Sequence, residues 1–483
     1  MSERSSVGFF DTVVDRTIGR LRSAWRDIAR QARGTGAAQP TRPELTTDDM
    51  ERVRQQLRAC LEARGGEVAA RARAAELGRT YLGLNGDGRK RFLRLLADEF
   101  DVNREAIADA AKSFLEASAH REKEASEEAL RRALEAPRLR LLTQFNALPE
   151  GVKFLVDMRA ELMALARSDR SLAGLERDLR ALLRSWFDIG FLELKRITWN
   201  SPAALLEKLT AYEAVHEIRS WADLKHRLEA DRRCFAFFHP RMPEEPLIFV
   251  EVALVKGIAG DIQTLLDESA PVGDPLEADT AIFYSISNCQ RGLAGISFGN
   301  FLIKRVADDL AAELPHLKTF ATLSPIPGFR AWLDARLAKA EDGLLLPAEQ
   351  EAVARVTEGK EGGLAALLAD PAWCENAETA DALRPPLMRL CARYLLTEKG
   401  SQGRALDLVE HFHLTNGARV ERLNWLADQS PKGLQQSWGI MVNYLYRLAE
   451  VEDNHEAYTG EGKVAAASAV KTLARLKDGS RSR

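Results

Sequence analysis

The sequence predicts two unlike parts: an α-helical N-terminal bundle, then a domain of α/β (or α+β) class. Apolar residues recur at helical spacing through the first part. From about residue 193, short runs of aromatic and β-branched residues alternate with helical stretches. The chain has 483 residues, more than one core normally organises, since single cores stop growing near ~250–300 residues.

Residues 1–40 read as an N-terminal extension. Within it GFFDTVVDRTIGRLRSAWRDIARQAR (8–33) is amphipathic and rich in Arg. It reads either as a partly ordered extension or as a targeting or membrane-surface helix. GTGAAQPTRPEL (34–45) combines Gly and Pro as a linker does. Thr47 and Asp48 offer N-cap chemistry for a helix through Leu61. The bundle is expected over 41–192. Leu155, Met158, Leu162 and Leu165 share one helical face, as do Leu172, Leu175, Leu179, Leu182 and Trp186 in the next segment. Asn85-Gly86-Asp87-Gly88, Pro137 and Pro149-Glu150-Gly151 punctuate it. Its charges are dispersed as solvated faces, so a structural or oligomerisation role is expected.

The second part, 193–483, holds the strand candidates CFAFF (234–238), LIFVEVAL (247–254), TAIFYSIS (280–287) and TFATLS (319–324). NFLIKRVADDLAAEL (300–314) reads as a helix with Leu302, Val306 and Leu310 along one face. Beyond Phe329 helices are expected to dominate, through Pro385-Pro386 to a polar, basic tail.

A formal charge of −3 argues against a broad basic face for nucleic acid. The five cysteines are scattered without CxxC spacing, which fits a reducing compartment such as the cytoplasm and argues against a zinc site or a disulfide framework. No apolar run approaches ~18 residues, so no membrane span is expected, and the N-terminus lacks a signal-peptide apolar core.

TAIFYSISNCQRGLAGISFGNFLIKRVADDL reads as strand, glycine-bearing turn and helix. Gly292, Gly295 and Gly299 allow the backbone close to a ligand. A helix beginning near Gly299-Asn300 would aim free N–H groups at that turn, a setting that favours an anion such as a pyrophosphate. Such turns also serve as plain connections. The turn matches neither GxGxxG nor GxxxxGK[ST].

The turn loosely resembles the pyrophosphate loop of GCN5-related N-acetyltransferase folds, through Gln290-Arg291-Gly292-Leu293-Ala294-Gly295. The wider sequence resembles the malonyl-CoA decarboxylase family. The blocks HPRMPEEPLIFVEVALVKGI (239–258), FYSISNCQRGLAGISFGNFLIKRV (283–306), HLKTFATLSPIPGFRAWL (316–333) and HFHLTNGARVERLNWLADQS (411–430) carry that likeness, in order. The resemblance implies an acetyltransferase-like catalytic domain, malonyl-CoA as substrate, a self-associating protein (dimer or tetramer), and no metal or other cofactor. It places the CoA-binding loop on Ala294, Gly295, Ile296, Ser297, Phe298, Gly299 and Asn300, and the catalytic pair on Ser324 and His413.

The chemistry suits that assignment. Loss of CO2 leaves a thioester enolate, and the thioester carbonyl is itself an electron sink, so neither metal, pyridoxal nor biotin is required. The protein must orient the carboxylate, stabilise oxygen charge and deliver a proton to carbon. A histidine with an ordinary pKa near 6.5 suits the last task. His413 is expected on a strand end or loop before Asn416-Gly417. His411 is its rival, on the same face if the segment is extended. Ser324 ends a strand before Pro325 and Pro327, where its hydroxyl can meet the malonyl carboxylate or His413. Without the resemblance, each of these three reads more readily as structural. His239 before Pro240 reads as a strand-end turn, Asn416 as an orienting or contact residue, and Arg291 and Lys304 as either CoA-phosphate partners or solvated charges. No GxSxG and no neighbouring acid marks a hydrolase triad. A CoA-dependent acyltransferase and a non-catalytic malonyl-CoA-binding regulator are the two alternatives.

Overall fold

The computed structural model describes residues 23–28, 41–62, 66–296, 302–339, 341, 343–357, 363–370, 372–400 and 403–475. Both expected parts are present: helices as far as Trp186, then a mixed α/β region built on one sheet. The chain divides into two compact units. One holds the N-terminal helices to Glu193, with Phe237–Leu247 and the turn from Asn288; the other holds the rest.

In the first unit the helix Thr47–Leu61 begins where expected, but its N-cap is Thr46. The Thr46 hydroxyl donates to the Asp49 carboxylate (2.8 Å) and does not cap a backbone N–H. Gly151–Ala166 (α1) buries Leu155, Met158 and Leu162. Ala173–Trp186 (α2) buries Leu175, Leu179 and Leu183. Its stripe therefore turns onto Leu183 and leaves Leu182 and Trp186 partly exposed, a correction of one residue to the expected face. Most of the amphipathic stretch 8–33 lies outside the described residues. Its described piece contributes Trp25, fully buried, whose indole N–H donates to the Pro149 carbonyl (2.8 Å). The bundle also contains a buried arginine that the dispersed-charge reading missed: Arg159, paired with the half-buried Glu176.

The sheet strands are Glu193–Ile197 (β1), Arg232–His239 (β2), Met242–Val255 (β3), Thr280–Asn288 (β4), Thr319–Thr322 (β5), Arg419–Asn424 (β6) and Met441–Leu445 (β7). Their order is β1-β2-β3-β4-β5-β7-β6. The four strand candidates are found. β1, β6 and β7 were not anticipated, and the reasons differ. β6 alternates charged and apolar residues at a sheet edge, where only Val420, Leu423 and Asn424 are buried. β7 has five residues, apolar but for Asn443, too short for its periodicity to separate strand from helix.

The helix Leu302–Glu313 (α3) buries Leu302, Val306 and Leu310 as expected. The expected start near Gly299-Asn300 lies outside the described residues. α3 carries the chain from β4 to β5, which pair in parallel from Thr280↔Thr319 to Phe283↔Thr322. β7 then pairs antiparallel with both β5 and β6. Alternation along these strands divides the residues between two faces. Ala321, Leu323, Met441 and Leu445 join Ile282, Tyr284 and Ala253 in an apolar core. Thr322, Ser324, Tyr444 and Tyr446 take the other parity.

Candidate active site

Ser324 lies two residues beyond β5, and its backbone is tied to β7 by a reciprocal pair: Ser324 N–H to the Val442 carbonyl (2.8 Å) and Val442 N–H to the Ser324 carbonyl (2.9 Å). Thr322 and Ser324, two apart on extended backbone, present side chains on one face. The Ser324 hydroxyl donates to Thr322 Oγ1 (2.8 Å), which also accepts the Tyr444 N–H (3.1 Å). Beneath them the Asn443 side chain, fully buried, donates to the Thr322 carbonyl (2.7 Å) and accepts from the Asn424 amide (2.8 Å). These bonds fix β5, β6 and β7 against one another at this point.

His413 reaches Ser324 from a helix. Leu408–Thr415 (α4) is capped by Asp407, whose Oδ1 accepts from the Val409 N–H (2.9 Å) and the Glu410 N–H (3.1 Å). Asn416-Gly417 forms the helix C-terminus, with Gly417 at φ +79 and no room for a Cβ against the Val451 carbonyl. The extended setting expected for His411 and His413 is therefore wrong. On a helix, residues two apart point about 200° apart, which separates the two histidines. His411 Nδ1 bonds the Tyr458 hydroxyl (2.7 Å). His413 Nε2 bonds Ser324 Oγ (3.1 Å), and its Nδ1 bonds the Tyr446 hydroxyl (2.8 Å). Its ring stacks on Tyr444 at 4.4 Å.

These bonds are consistent with one tautomer of the imidazole. With the Ser324 hydroxyl donating to Thr322, the Ser324–His413 bond fits the tautomer that carries its hydrogen on Nε2. In that tautomer Tyr446, whose phenol burial holds well above its ordinary pKa, donates to Nδ1. Burial also drives the His413 pKa down, to about 3. At neutral pH the ring is uncharged, which corrects the expectation of an ordinary pKa near 6.5. One turn earlier, Glu410 is fully buried, and neither carboxylate oxygen has a hydrogen-bond partner among the described residues. Burial, reinforced by Asp407, pushes its pKa well up, so it is held as the acid.

A depressed histidine pKa has a signed consequence for stability. Its contribution is complete above the unfolded value near 6.5 and is lost as pH falls toward about 3, because only the unfolded chain takes the proton in that window. Chemical denaturation across this range is expected to show His413→Gln gaining on the parent protein as pH falls, at up to about 1.4 kcal/mol per pH unit. Parallel pH curves for the two proteins would contradict the assignment.

Other candidates sit elsewhere. His239 is a turn residue, as expected: Nε2 meets the Trp186 carbonyl (3.1 Å) and Nδ1 accepts the Arg241 N–H (3.1 Å). The Asn416 amide donates to the Phe412 carbonyl (2.8 Å), a helix-end role. Lys304 pairs with Glu452 (2.7 Å), and Arg291 is exposed. Ala294, Gly295 and Ile296 follow a 3-10 turn at Arg291–Leu293 in the first unit. Ser297, Phe298, Gly299 and Asn300 lie outside the described residues. Thr322, Tyr444 and Tyr446 were missed; the alternation Val442-Tyr444-Tyr446 was the available signal.

A family model described as the malonyl-CoA decarboxylase C-terminal domain matches residues 190–483, and one for the N-terminal domain matches 100–187. The chain belongs to the malonyl-CoA decarboxylase family. It is 39% identical over 421 residues to the mitochondrial malonyl-CoA decarboxylase of Anser anser anser, covering 83% of each chain. To that of Rattus norvegicus it is 39% identical over 403 residues, covering 80% of this chain and 81% of the relative. The crystal structure of malonyl-CoA decarboxylase from Rhodopseudomonas palustris matches with TM-score 0.80 and 43% identity, over 87% of this chain and 99% of that one. The Agrobacterium vitis structure gives 0.80 and 43%, over 88% and 100%. The enzyme is accordingly a carboxy-lyase that converts malonyl-CoA to acetyl-CoA and CO2.

Proposed function

We propose that His413 protonates the enolate left by CO2 loss, with Ser324 assisting, and that no covalent acyl-enzyme forms. The observation that carries this is the contact between Ser324 Oγ and His413 Nε2, made by segments 89 residues apart around a buried imidazole. In a serine-hydrolase triad a carboxylate accepts from Nδ1–H, and the histidine takes the serine proton. In this reading the polarity is reversed: with the Nε2–H tautomer a phenol donates to Nδ1 and the Nε2 proton points at Ser324, which leaves the serine unactivated as a nucleophile. A neutral imidazole can serve as an electrophile toward an enolate, as it does in triosephosphate isomerase, and the Tyr446 hydrogen bond stabilises the negative charge that develops on the ring.

In this reading the malonyl C–C bond breaks, its electron pair enters the thioester carbonyl, and CO2 leaves. The resulting carbanion carbon takes the Nε2 proton, directly or through the Ser324 hydroxyl. Solvent then restores the ring, which accounts for the one proton each turnover consumes. The loop Ala294, Gly295, Ile296, Ser297, Phe298, Gly299 and Asn300 holds the CoA moiety; Gly295, at φ +72, supports that assignment. Tyr446→Phe is expected to lower kcat about tenfold, the loss of one hydrogen bond to a group charging in the transition state. Intact-mass analysis of rapidly quenched reactions should find unmodified protein. A malonyl or acetyl adduct on Ser324 would replace this mechanism with a covalent one.

We place the enzyme in a reducing compartment such as the cytoplasm, which its five free cysteines support; the curated vertebrate relatives are named as mitochondrial. No helix among the described residues is long and apolar enough to cross a membrane. A homo-oligomer, dimer or tetramer, built through the helical domain is supported by the helices Arg104–Glu116 and His120–Leu134. Neither has a buried residue, and they expose Phe114, Leu115 and Leu134.

A further inference from the structure

The first unit contains a buried arginine that reaches two backbone carbonyls of one turn. Arg159, on α1, is 2% exposed. Its Nη1 donates to the Gly292 carbonyl (2.5 Å) and the Ala294 carbonyl (3.0 Å). Its Nε and Nη2 both donate to Glu176 on α2 (3.1 and 2.8 Å). One helical turn beyond Glu176 on α2, Arg180 donates to the Gly295 carbonyl (2.9 Å).

Three carbonyls of one turn are thus held by two arginines of the helical bundle. Glycine lets this happen. A Cβ on Gly292 would stand 1.7 Å from the Val156 carbonyl of α1, so the turn packs backbone to backbone against that helix. Gly295 has φ +72, a conformation that disfavours side chains. In a trans peptide the carbonyl and the following N–H point opposite ways. Arg159's hold on the Ala294 carbonyl therefore turns the Gly295 N–H away from the bundle.

We infer that Arg159, braced by Glu176 and helped by Arg180, is a positioning residue for CoA binding: it fixes the backbone of Gly292–Gly295 so that the Gly295 N–H faces the nucleotide, while the Leu293, Ala294 and Ile296 amides close the turn on Gln290, Arg291 and Leu293. The bundle then serves substrate binding as well as assembly. The inference rests on the reading of Ala294–Ile296 as part of the CoA loop, and the test separates the two.

Steady-state kinetics with malonyl-CoA and with malonyl-pantetheine, which lacks the nucleotide, would be run on Arg159→Met, Arg180→Gln and Gly295→Ala. Arg159→Met is expected to raise KM for malonyl-CoA roughly ten- to a hundredfold. Its kcat should stay within about threefold, and its KM for malonyl-pantetheine should not move. Arg180→Gln, an exposed change that spares the fold, is expected to raise KM for malonyl-CoA about threefold. A purely structural Arg159 would lower thermal stability and leave the ratio of the two KM values unchanged. If Arg159→Met does not fold, an unchanged ratio in Arg180→Gln overturns the inference. If Gly295→Ala raises KM for malonyl-CoA while both arginine variants leave it alone, only this inference fails. If Gly295→Ala also leaves it alone, the loop assignment fails with it.

Discussion

His413→Gln is expected to lower kcat for acetyl-CoA formation by roughly 10²- to 10⁴-fold, the usual worth of a positioned general acid. Glutamine keeps a neutral, hydrogen-bonding side chain of similar reach, so the fold and the packing on Tyr444 should survive. Affinity for CoA should change by no more than about threefold, because the imidazole is assigned to the acid end of the substrate. The measurement is acetyl-CoA produced per active site under saturating malonyl-CoA, with CoA affinity determined separately. An unchanged kcat would remove His413 from the chemistry; a collapse of CoA affinity with kcat intact would make it a binding residue. The effect is also non-additive. Tyr446 acts through His413, so Tyr446→Phe should cost little once His413 is glutamine.

Some of this was legible in the sequence, for reasons that particular residues make plain. The strand runs at 234–238 and 280–287 lie within fully or largely buried strands, where unbroken aromatic and β-branched residues are unambiguous. Ser324 is singled out by the family resemblance; the two prolines after it support only its place at a strand end. His413 could be named but not placed. Its helix has only eight residues, too few turns for a period to show, and the Asp407 cap that starts it resembles any loop aspartate. Tyr446 was invisible as a partner because it meets the imidazole only after β7 pairs with β5, segments far apart in the chain. Arg159 was harder still. Its bond to Gly292 joins residues 133 apart, and in the sequence it is one more basic residue on a charged helix. The depressed pKa of His413 is likewise a product of burial, which no local motif encodes.

Ser324→Ala should lower kcat by roughly 10²-fold, the lower end of what a positioned proton-transfer group contributes. The change deletes the oxygen that joins His413 Nε2 to Thr322, leaving a buried N–H without that partner. Ser324→Cys is the more informative variant. If the serine acts as a hydrogen-bonding group, a thiol is a poor replacement, and kcat should fall nearly as far as in the alanine protein. If the serine were a nucleophile, the cysteine would remain nucleophilic, and a thioester-linked acyl group would be trapped on it. The Nε2–H tautomer favours the first outcome: with the serine's hydrogen on Thr322, it offers a proton where a general base would offer a lone pair. Intact-mass measurement of Ser324→Cys after incubation with malonyl-CoA decides the matter, since an added acyl mass requires a nucleophile at position 324 and its absence, with kcat depressed, leaves the serine its hydrogen-bonding role.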